Sequence, residues 1–107
     1  MATPLTAMCI YQVRAGAERE FEQLLGKHWP TLQKMELVTE KRSQAFRGEN
    51  DDKSVFFVEL IEWLDATAPE TAHELPEVAA VWEAMGRLCE ARGGKPPMEF
   101  PHVERIY

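Results

Sequence analysis

The sequence predicts an α+β fold with the element order β-α-β-β-α-β and a four-stranded antiparallel sheet that carries both helices on one face. Four segments have the β-branched, aromatic or alternating character of strands. Two further segments repeat apolar residues at spacings of three and four, as amphipathic helices do. A chain of 107 residues suits one modest core, so we expect residues 1–107 to form a single domain.

The first strand and the first helix are predicted over residues 5–13 and 17–36, with a turn at 14–16. The apolar stripe of this helix consists of Ala17, Phe21, Leu24, Leu25, His28, Leu32 and Met35. Pro30 lies inside the pattern. Because proline lacks a backbone donor, we expect the helix to kink or split beside His28.

A hairpin follows, in which a polar strand over residues 37–48 turns at 48–53 into a strongly apolar strand over 54–64. One face of the apolar strand contains Val55, Phe57, Glu59, Ile61 and Trp63, and the other contains Phe56, Val58, Leu60, Glu62 and Leu64. Both faces are mostly apolar, so both require cover. The helices of the chain can cover one face. A second copy of the protein is the simplest cover for the other.

The second helical region begins near Pro69 and is interrupted by Pro76. We expect a short helix to about Glu74 and a longer one over residues 76–91, ended by two glycines at 93 and 94. The last strand is predicted over residues 98–107. Pro101 has no N–H and should lie where the strand donates no ladder bond.

Charge and composition exclude several classes of function. The net charge is −6 and the sequence pI is about 5.0, which disfavours nucleic acid and anionic membranes as partners. No apolar run approaches the length of a membrane span, and no charged region precedes the first apolar run, so no signal peptide is expected. Cys9 and Cys89 lie far apart in sequence. We interpret them as buried reduced thiols of a cytoplasmic protein.

Three stretches resemble one known family: the strand end Val58-Glu59-Leu60-Ile61-Glu62-Trp63, the spacing from Ala66 to His73, and the closing segment over residues 101–106. Together they make the chain similar to the ferredoxin-like dimeric α/β-barrel superfamily, and most similar to its antibiotic biosynthesis monooxygenase branch. The resemblance covers nearly the whole chain. It departs from the family at Met35-Glu36, where a glycine is typical, and at Leu75-Pro76, where Ser-Pro is frequent.

The resemblance implies a homodimer in which two sheets face each other, with a pocket between sheet and helices in each subunit. Activities in that superfamily include cofactor-independent oxygenation of polyphenols, haem degradation, isomerisation and dechlorination. The fold alone therefore does not fix the function.

Two histidines are the candidate catalytic residues. The resemblance places His73 at the border of the pocket, where it could bind a substrate oxygen or move a proton; a solvent-bonded histidine at a helix start is the alternative. His28 lies beside Pro30, where a kink could open a gap for it, or it could be a satisfied core residue. For His102 and Glu104, on the same face of the last strand, we favour a surface or interface pair.

Acidic and aromatic residues supply the remaining candidates. Glu59 and Glu62 need partners if buried, and an ion pair with Arg42 or Arg47 at the dimer seam is favoured over a catalytic base. The candidate substrate-binding residues are aromatic side chains that could stack on a flat ligand, with core packing as the alternative: Trp29, Trp63, Trp82, Phe21, Phe57 and Tyr11. The dispersed histidines predict no metal site. The resemblance implies an activity without a bound cofactor. Haem is disfavoured because the haem-degrading branch of the superfamily has its iron-binding histidine well into the second helix, where this chain has Val81-Trp82-Glu83-Ala84-Met85.

The leading hypothesis is a small homodimer that binds an aromatic or apolar molecule and acts as a cofactor-independent monooxygenase-like enzyme. A second hypothesis is a non-catalytic ligand-binding or stress-response protein of the same fold. A third, a regulatory subunit of a larger enzyme, would require a large apolar patch outside the dimer seam.

Overall fold

The sheet is built around an antiparallel pair of strands, β1 (Leu5–Gln12) and β3 (Val55–Trp63), with Leu5 opposite Trp63 and Gln12 opposite Phe56. This computed structural model describes residues 3–107. Strand β2 (Gln44–Glu49) pairs with the outer side of β3. The short strands β4 (Met98–Glu99) and β5 (His102–Val103) both pair with the outer side of β1. All pairings are antiparallel, and the spatial order is β2-β3-β1-β4. The predicted fold class is confirmed.

Three helices lie on one face of the sheet: α1 (Glu18–Lys34), α2 (Ala68–Glu74) and α3 (Pro76–Arg87). Helix α1 runs unbroken through Pro30, so the alternative of a split helix is wrong. Proline removes one N–H from the helix, and packing holds the helix together because Trp29 and Leu32 on either side of Pro30 are buried in the core. As predicted, Pro76 separates α2 from α3.

The predicted strand over residues 37–48 is divided in two. Val38 forms an isolated bridge with Trp63, and regular pairing resumes only at Gln44. The intervening residues Glu40, Lys41 and Arg42 are charged, which favours solvent over a ladder position. The turn before this segment contains Glu36 with φ of 59°, a left-handed conformation that glycine adopts at less cost than other residues.

The last helix and the last strand are shorter than predicted. Helix α3 ends at Arg87 because the following residues turn back along β1: Glu90 N–H donates to Gln12 O, and Cys89 bridges Val13. The final strand is broken around Pro101, whose carbonyl accepts from Met8 N–H. Residues 104–107 are exposed and form no strand.

The core lies between the helices and one face of the sheet. Along β3 buried and half-buried residues alternate without exception, and the buried set, which contains Val55, Phe57, Glu59, Ile61 and Trp63, lies under the helices. The opposite face has no cover from residues 3–107. Within those residues no helix is long and apolar enough to cross a membrane.

Candidate functional site

A cavity of about 310 Å³ opens between the sheet and helices α2 and α3. Its wall is mainly apolar and is formed by Ala7, Cys9, Trp63, Pro69, Trp82 and Met98, while Phe100, His73 and His102 are its more exposed members. Strands β1 and β3 present their helix-facing residues to it because side chains alternate along a strand. An apolar cleft with a few polar groups at its edge is the usual form of a small-molecule site.

A buried chain of hydrogen bonds runs behind the cavity wall. Glu59 is fully buried, and its Oε1 accepts from Tyr11 O–H at 2.9 Å and from His28 Nδ1 at 2.7 Å. On the other side of the imidazole, Trp82 Nε1 lies 2.7 Å from His28 Nε2. Trp82 is also a wall residue, so the hydrogen-bond chain connects the core directly to the cavity.

The tautomer of His28 follows from these partners. An indole N–H can only donate, so His28 Nε2 must accept from Trp82. The ring proton is then on Nδ1 and is donated to Glu59. The imidazole in this arrangement is neutral, which means that the contact between His28 and Glu59 is a hydrogen bond rather than an ion pair.

Glu59 therefore accepts two hydrogen bonds, and among the residues the structure describes no cation neutralises its charge. Its second oxygen, Oε2, is buried and has no hydrogen-bond partner within residues 3–107. Burying a carboxylate is costly unless it is well bonded. Glu59 is a functional candidate because native proteins rarely leave such an atom unsatisfied.

The field of this carboxylate reaches two neighbouring groups. Burial, reinforced by Glu59, raises the pKa of the Cys9 thiol to about 12. Burial and then Glu59 also raise the pKa of the Tyr11 hydroxyl well above its ordinary value. Both groups keep their protons at neutral pH. Cys9 therefore faces the cavity as a neutral thiol and not as a thiolate nucleophile.

Local sequence explains how these groups meet. Cys9 lies directly opposite Glu59 in the ladder between β1 and β3, so both project towards the helices. His28 occupies the apolar stripe of α1, one turn from Leu32 and Leu25, and is 2% exposed. Trp82 lies in the middle of α3 and completes the layer above the imidazole.

The predicted site residues separate into two groups. His73, Trp63 and Trp82 line the cavity, with the rings of His73 and Trp82 in edge contact at 4.8 Å between centroids. His28 lies one side chain further in.

The other aromatic candidates lie away from the cavity wall. Tyr11 and Phe57 pack on Phe21 in the core, with centroid distances of 5.0 and 5.2 Å. Trp29 is covered by the guanidinium of Arg42, 5.0 Å from its ring centroid. All four are core residues, and core packing was the alternative interpretation given for them above.

The expected ion pair with arginine at a dimer seam is wrong for Glu59. Glu59 is bonded inside the subunit rather than at a seam, because it shares the helix-covered face of β3. Glu62, on the open face, accepts from Thr39 Oγ1 at 2.9 Å. Neither pairs with the two arginines considered: Arg42 covers Trp29, and Arg47 lies 6.0 Å from the ring of Phe57.

His102 lines the cavity and has no ion pair with Glu104 among the described residues, in contrast to the expected surface or interface pair. Sequence reasoning also missed Cys9, Met98 and Phe100 as wall residues. The alternation in β1 could have identified Cys9, which shares a face with Ala7 and Tyr11. Within residues 3–107, no group of three or more His, Cys, Asp or Glu side chains is arranged to hold a metal ion.

Comparisons with known proteins establish similarity of fold. No protein-family model matches the chain, and no curated protein matches it by sequence. A variant of SnoaB, a cofactor-independent oxygenase from Streptomyces nogalater, superposes with a TM-score of 0.71 at 18% identity, covering 99% of this chain and 96% of that one.

Two further solved structures agree. A candidate antibiotic biosynthesis monooxygenase from Nitrosomonas europaea gives a TM-score of 0.69 at 9% identity, covering 100% of this chain and 94% of that one. A dimeric ferredoxin-like protein from a Jannaschia species gives 0.64 at 14% identity, covering 96% and 100%. The chain therefore has the ferredoxin-like fold that these proteins share, and the resemblance inferred from its sequence is confirmed at the level of the fold.

Proposed function

We propose that each subunit of a homodimer binds a small aromatic molecule in the cavity and oxygenates it without a bound cofactor. The observation that carries this proposal is the apolar cavity backed by the buried chain Trp82–His28–Glu59. It combines a dry aromatic wall with groups that can hold and move a proton. The similarity in fold to a cofactor-independent oxygenase supports the same assignment.

The chemistry needs only a phenolic substrate, oxygen and proton transfer. A base removes the hydroxyl proton, and the resulting anion passes one electron to O₂. The substrate radical and superoxide then combine into a peroxide anion at the carbon para to the oxygen, and the base returns its proton to the terminal oxygen to give the hydroperoxide. Loss of the hydrogen from that carbon, together with the peroxide's terminal OH as water, leaves a carbonyl. One oxygen atom enters the product and the other becomes water.

Two histidines can serve these proton transfers. His73 lines the cavity directly, and His28 is separated from it only by Trp82. We assign His73 to the proton transfers at the peroxide, because its ring is at the accessible edge of the cavity. An apolar wall excludes water and protects the radical pair from side reactions.

The homodimer is inferred from the uncovered face of the sheet. That face contains half-buried Met8, Ile10, Val58 and Leu60, and Phe46 at its edge is 54% exposed. Exposed apolar patches of this kind mark interfaces. A second copy that places its own sheet against this face would cover the open faces of both subunits at once. The dimeric protein of the same fold supports that arrangement.

Oxygen uptake with 1-naphthol tests the function, since its conversion to 1,4-naphthoquinone consumes one O₂ and releases one water. We expect enzyme-dependent uptake in a one-to-one ratio with quinone. His73→Ala should lower the rate by roughly a hundredfold or more, as expected for loss of an acid–base group. Glu74→Ala, the exposed neighbouring residue on α2, is the matched control and should retain the wild-type rate.

Saturable binding of 1-naphthol without oxygen uptake would overturn the enzymatic part of the proposal and favour the alternative of a ligand-binding protein. Uptake that is equal in wild type and His73→Ala would remove His73 from the mechanism.

A further inference from the structure

We propose that Trp82 is a displaceable gate over His28, and that the ligand of this cavity carries an acidic hydroxyl which replaces the indole N–H on His28 Nε2. This inference rests on the proposed function, because it assumes that the cavity binds a small aromatic molecule. It adds the residue that selects the phenolic hydroxyl and the atom that accepts its hydrogen bond.

The first argument is the direction in which the acceptor atom of His28, Nε2, points. Glu59 holds the Nδ1 side of the imidazole at 2.7 Å. The ring is therefore fixed from behind, and its Nε2 lone pair points to the side on which Trp82 and the cavity lie. The indole N–H occupies that lone pair at 2.7 Å. A hydroxyl is the simplest ligand group that can donate in its place.

The second argument is the difference in burial along the chain. Glu59 and His28 are 0% and 2% exposed, whereas Trp82 is only half-buried and faces open cavity volume. Rotation of the indole exchanges an N–H···N bond for an O–H···N bond and leaves the indole N–H near the solvent-accessible edge. Because no buried donor or acceptor is left unpaired, the exchange avoids the main penalty for breaking a buried hydrogen bond.

The third argument concerns charge. In the closed state Glu59 is a buried carboxylate with no cation bonded to it in the part of the chain that the structure describes. A proton delivered to Nε2 converts this arrangement into an imidazolium–carboxylate pair, with the ligand anion on the cavity side. The same logic orients a histidine between an acid and a hydroxyl in nucleophilic triads. It favours a phenol or enol, which can release its proton, over an ether of the same shape.

Calorimetric titration with 1-naphthol and 1-methoxynaphthalene tests the gate, since the two probes differ mainly in the hydroxyl proton. We expect 1-naphthol to bind the wild-type protein at least tenfold more tightly. Trp82→Phe keeps an aromatic wall and removes the N–H that competes for Nε2. It should tighten 1-naphthol binding about fivefold, because opening the closed state no longer costs a hydrogen bond, and it should not tighten binding of the ether.

Trp63→Phe is the matched control, since Trp63 lines the same cavity but does not bond His28. It should change both affinities by a similar factor. A folded His28→Phe variant should bind the two probes equally. The Trp82 indole resonance, assigned by its absence from Trp82→Phe, should shift on addition of 1-naphthol and return towards the position of a solvent-bonded indole.

Distinct results would overturn this proposal. Equal wild-type affinity for phenol and ether, or a Trp82→Phe variant that weakens both probes alike, would make Trp82 an ordinary wall residue while the cavity remained a binding site. Binding of neither probe would reject the aromatic ligand itself, and the gate with it.

Discussion

The two faces of β3 have almost the same composition and entirely different surroundings. Each face has four apolar residues and one glutamate within residues 55–64. On the helix-covered face Glu59 is fully buried and bonded to Tyr11 and His28. On the open face Glu62 is half-buried, and among residues 3–107 its side chain accepts a hydrogen bond from Thr39 alone. The difference shows that cover by the helices, not residue type, determines which of the two carboxylates is buried beside the candidate site.

The largest expected difference between the two faces is in the free energy of unfolding after either glutamate is replaced by alanine. Glu59→Ala leaves the Tyr11 hydroxyl and the His28 N–H buried without an acceptor, and we expect a loss of about 3–5 kcal/mol in the free energy of unfolding. Glu62→Ala should cost less than about 1 kcal/mol, because it removes one hydrogen bond, to half-buried Thr39, and leaves no fully buried donor without an acceptor. Urea unfolding at a fixed protein concentration measures both. Similar losses for the two variants would contradict the distinction between the faces.

A charge in the middle of the open face should break the dimer without unfolding the subunit. Val58 lies between Ile10 and Phe46 in the ladder, so Val58→Asp places a carboxylate at the centre of the proposed interface. We expect dimerisation to weaken by about 2–3 kcal/mol, since like charges that meet across a symmetric interface repel.

Native mass spectrometry should then show the wild type at twice 12.3 kDa and the variant at 12.3 kDa, with unchanged far-UV circular dichroism. Ala79→Asp, on the exposed side of α3, adds the same charge elsewhere and should remain dimeric. A monomeric wild type at micromolar concentration would contradict the proposed cover.

The rate of thiol alkylation should also distinguish the two faces of β1, and this is the smallest of the expected effects. The Cys9 pKa is raised to about 12 from an ordinary 9.0, so at pH 8 the folded thiol is protonated while the unfolded one is partly ionised. We expect Cys9 to react with iodoacetamide more than tenfold more slowly in the native protein than in denaturant. Because the Cys9 thiol ionises at lower pH in the unfolded chain than in the folded protein, the free energy of unfolding should also fall as pH rises from about 9 towards 12.

Met8→Cys provides the comparison on the opposite face of the same strand. Its thiol should react faster than Cys9 at low protein concentration, and more slowly as rising concentration favours the dimer. Peptide mapping by mass spectrometry reports each thiol separately. Native Cys9 that reacts as fast as the introduced thiol would show that the covered face is open to solvent.

Sequence patterns were sufficient for most of the fold and for part of the candidate site. Alternation in residues 54–64 divided the strand correctly into its two faces, and helical spacing placed His28 on the apolar stripe of α1. The patterns failed to predict where strands end or break, because this depends on which strand pairs with which. The strand around residues 37–48 is interrupted by its charged segment, and the last strand is limited to four paired residues by the break at Pro101.

The candidate site shows the same division more sharply. Trp63 and Trp82 could be proposed from residue type, and the family resemblance pointed to His73. The bonding of Glu59 could not, because an arginine on the neighbouring strand is as reasonable a partner in sequence as a histidine 31 residues away. Long-range contacts between α1, β3 and α3 have no local signature in the chain.

By itself the sequence determined the element order, the alternation of β3 and the need to cover two apolar faces, because these follow from local periodicity and the cost of exposing apolar surface. Only the tertiary structure decided that Glu59, His28 and Trp82 form one chain ending at a cavity. Hydrogen bonds act over about 3 Å, so which donors meet which acceptors depends on how helices and strands from distant parts of the chain pack together.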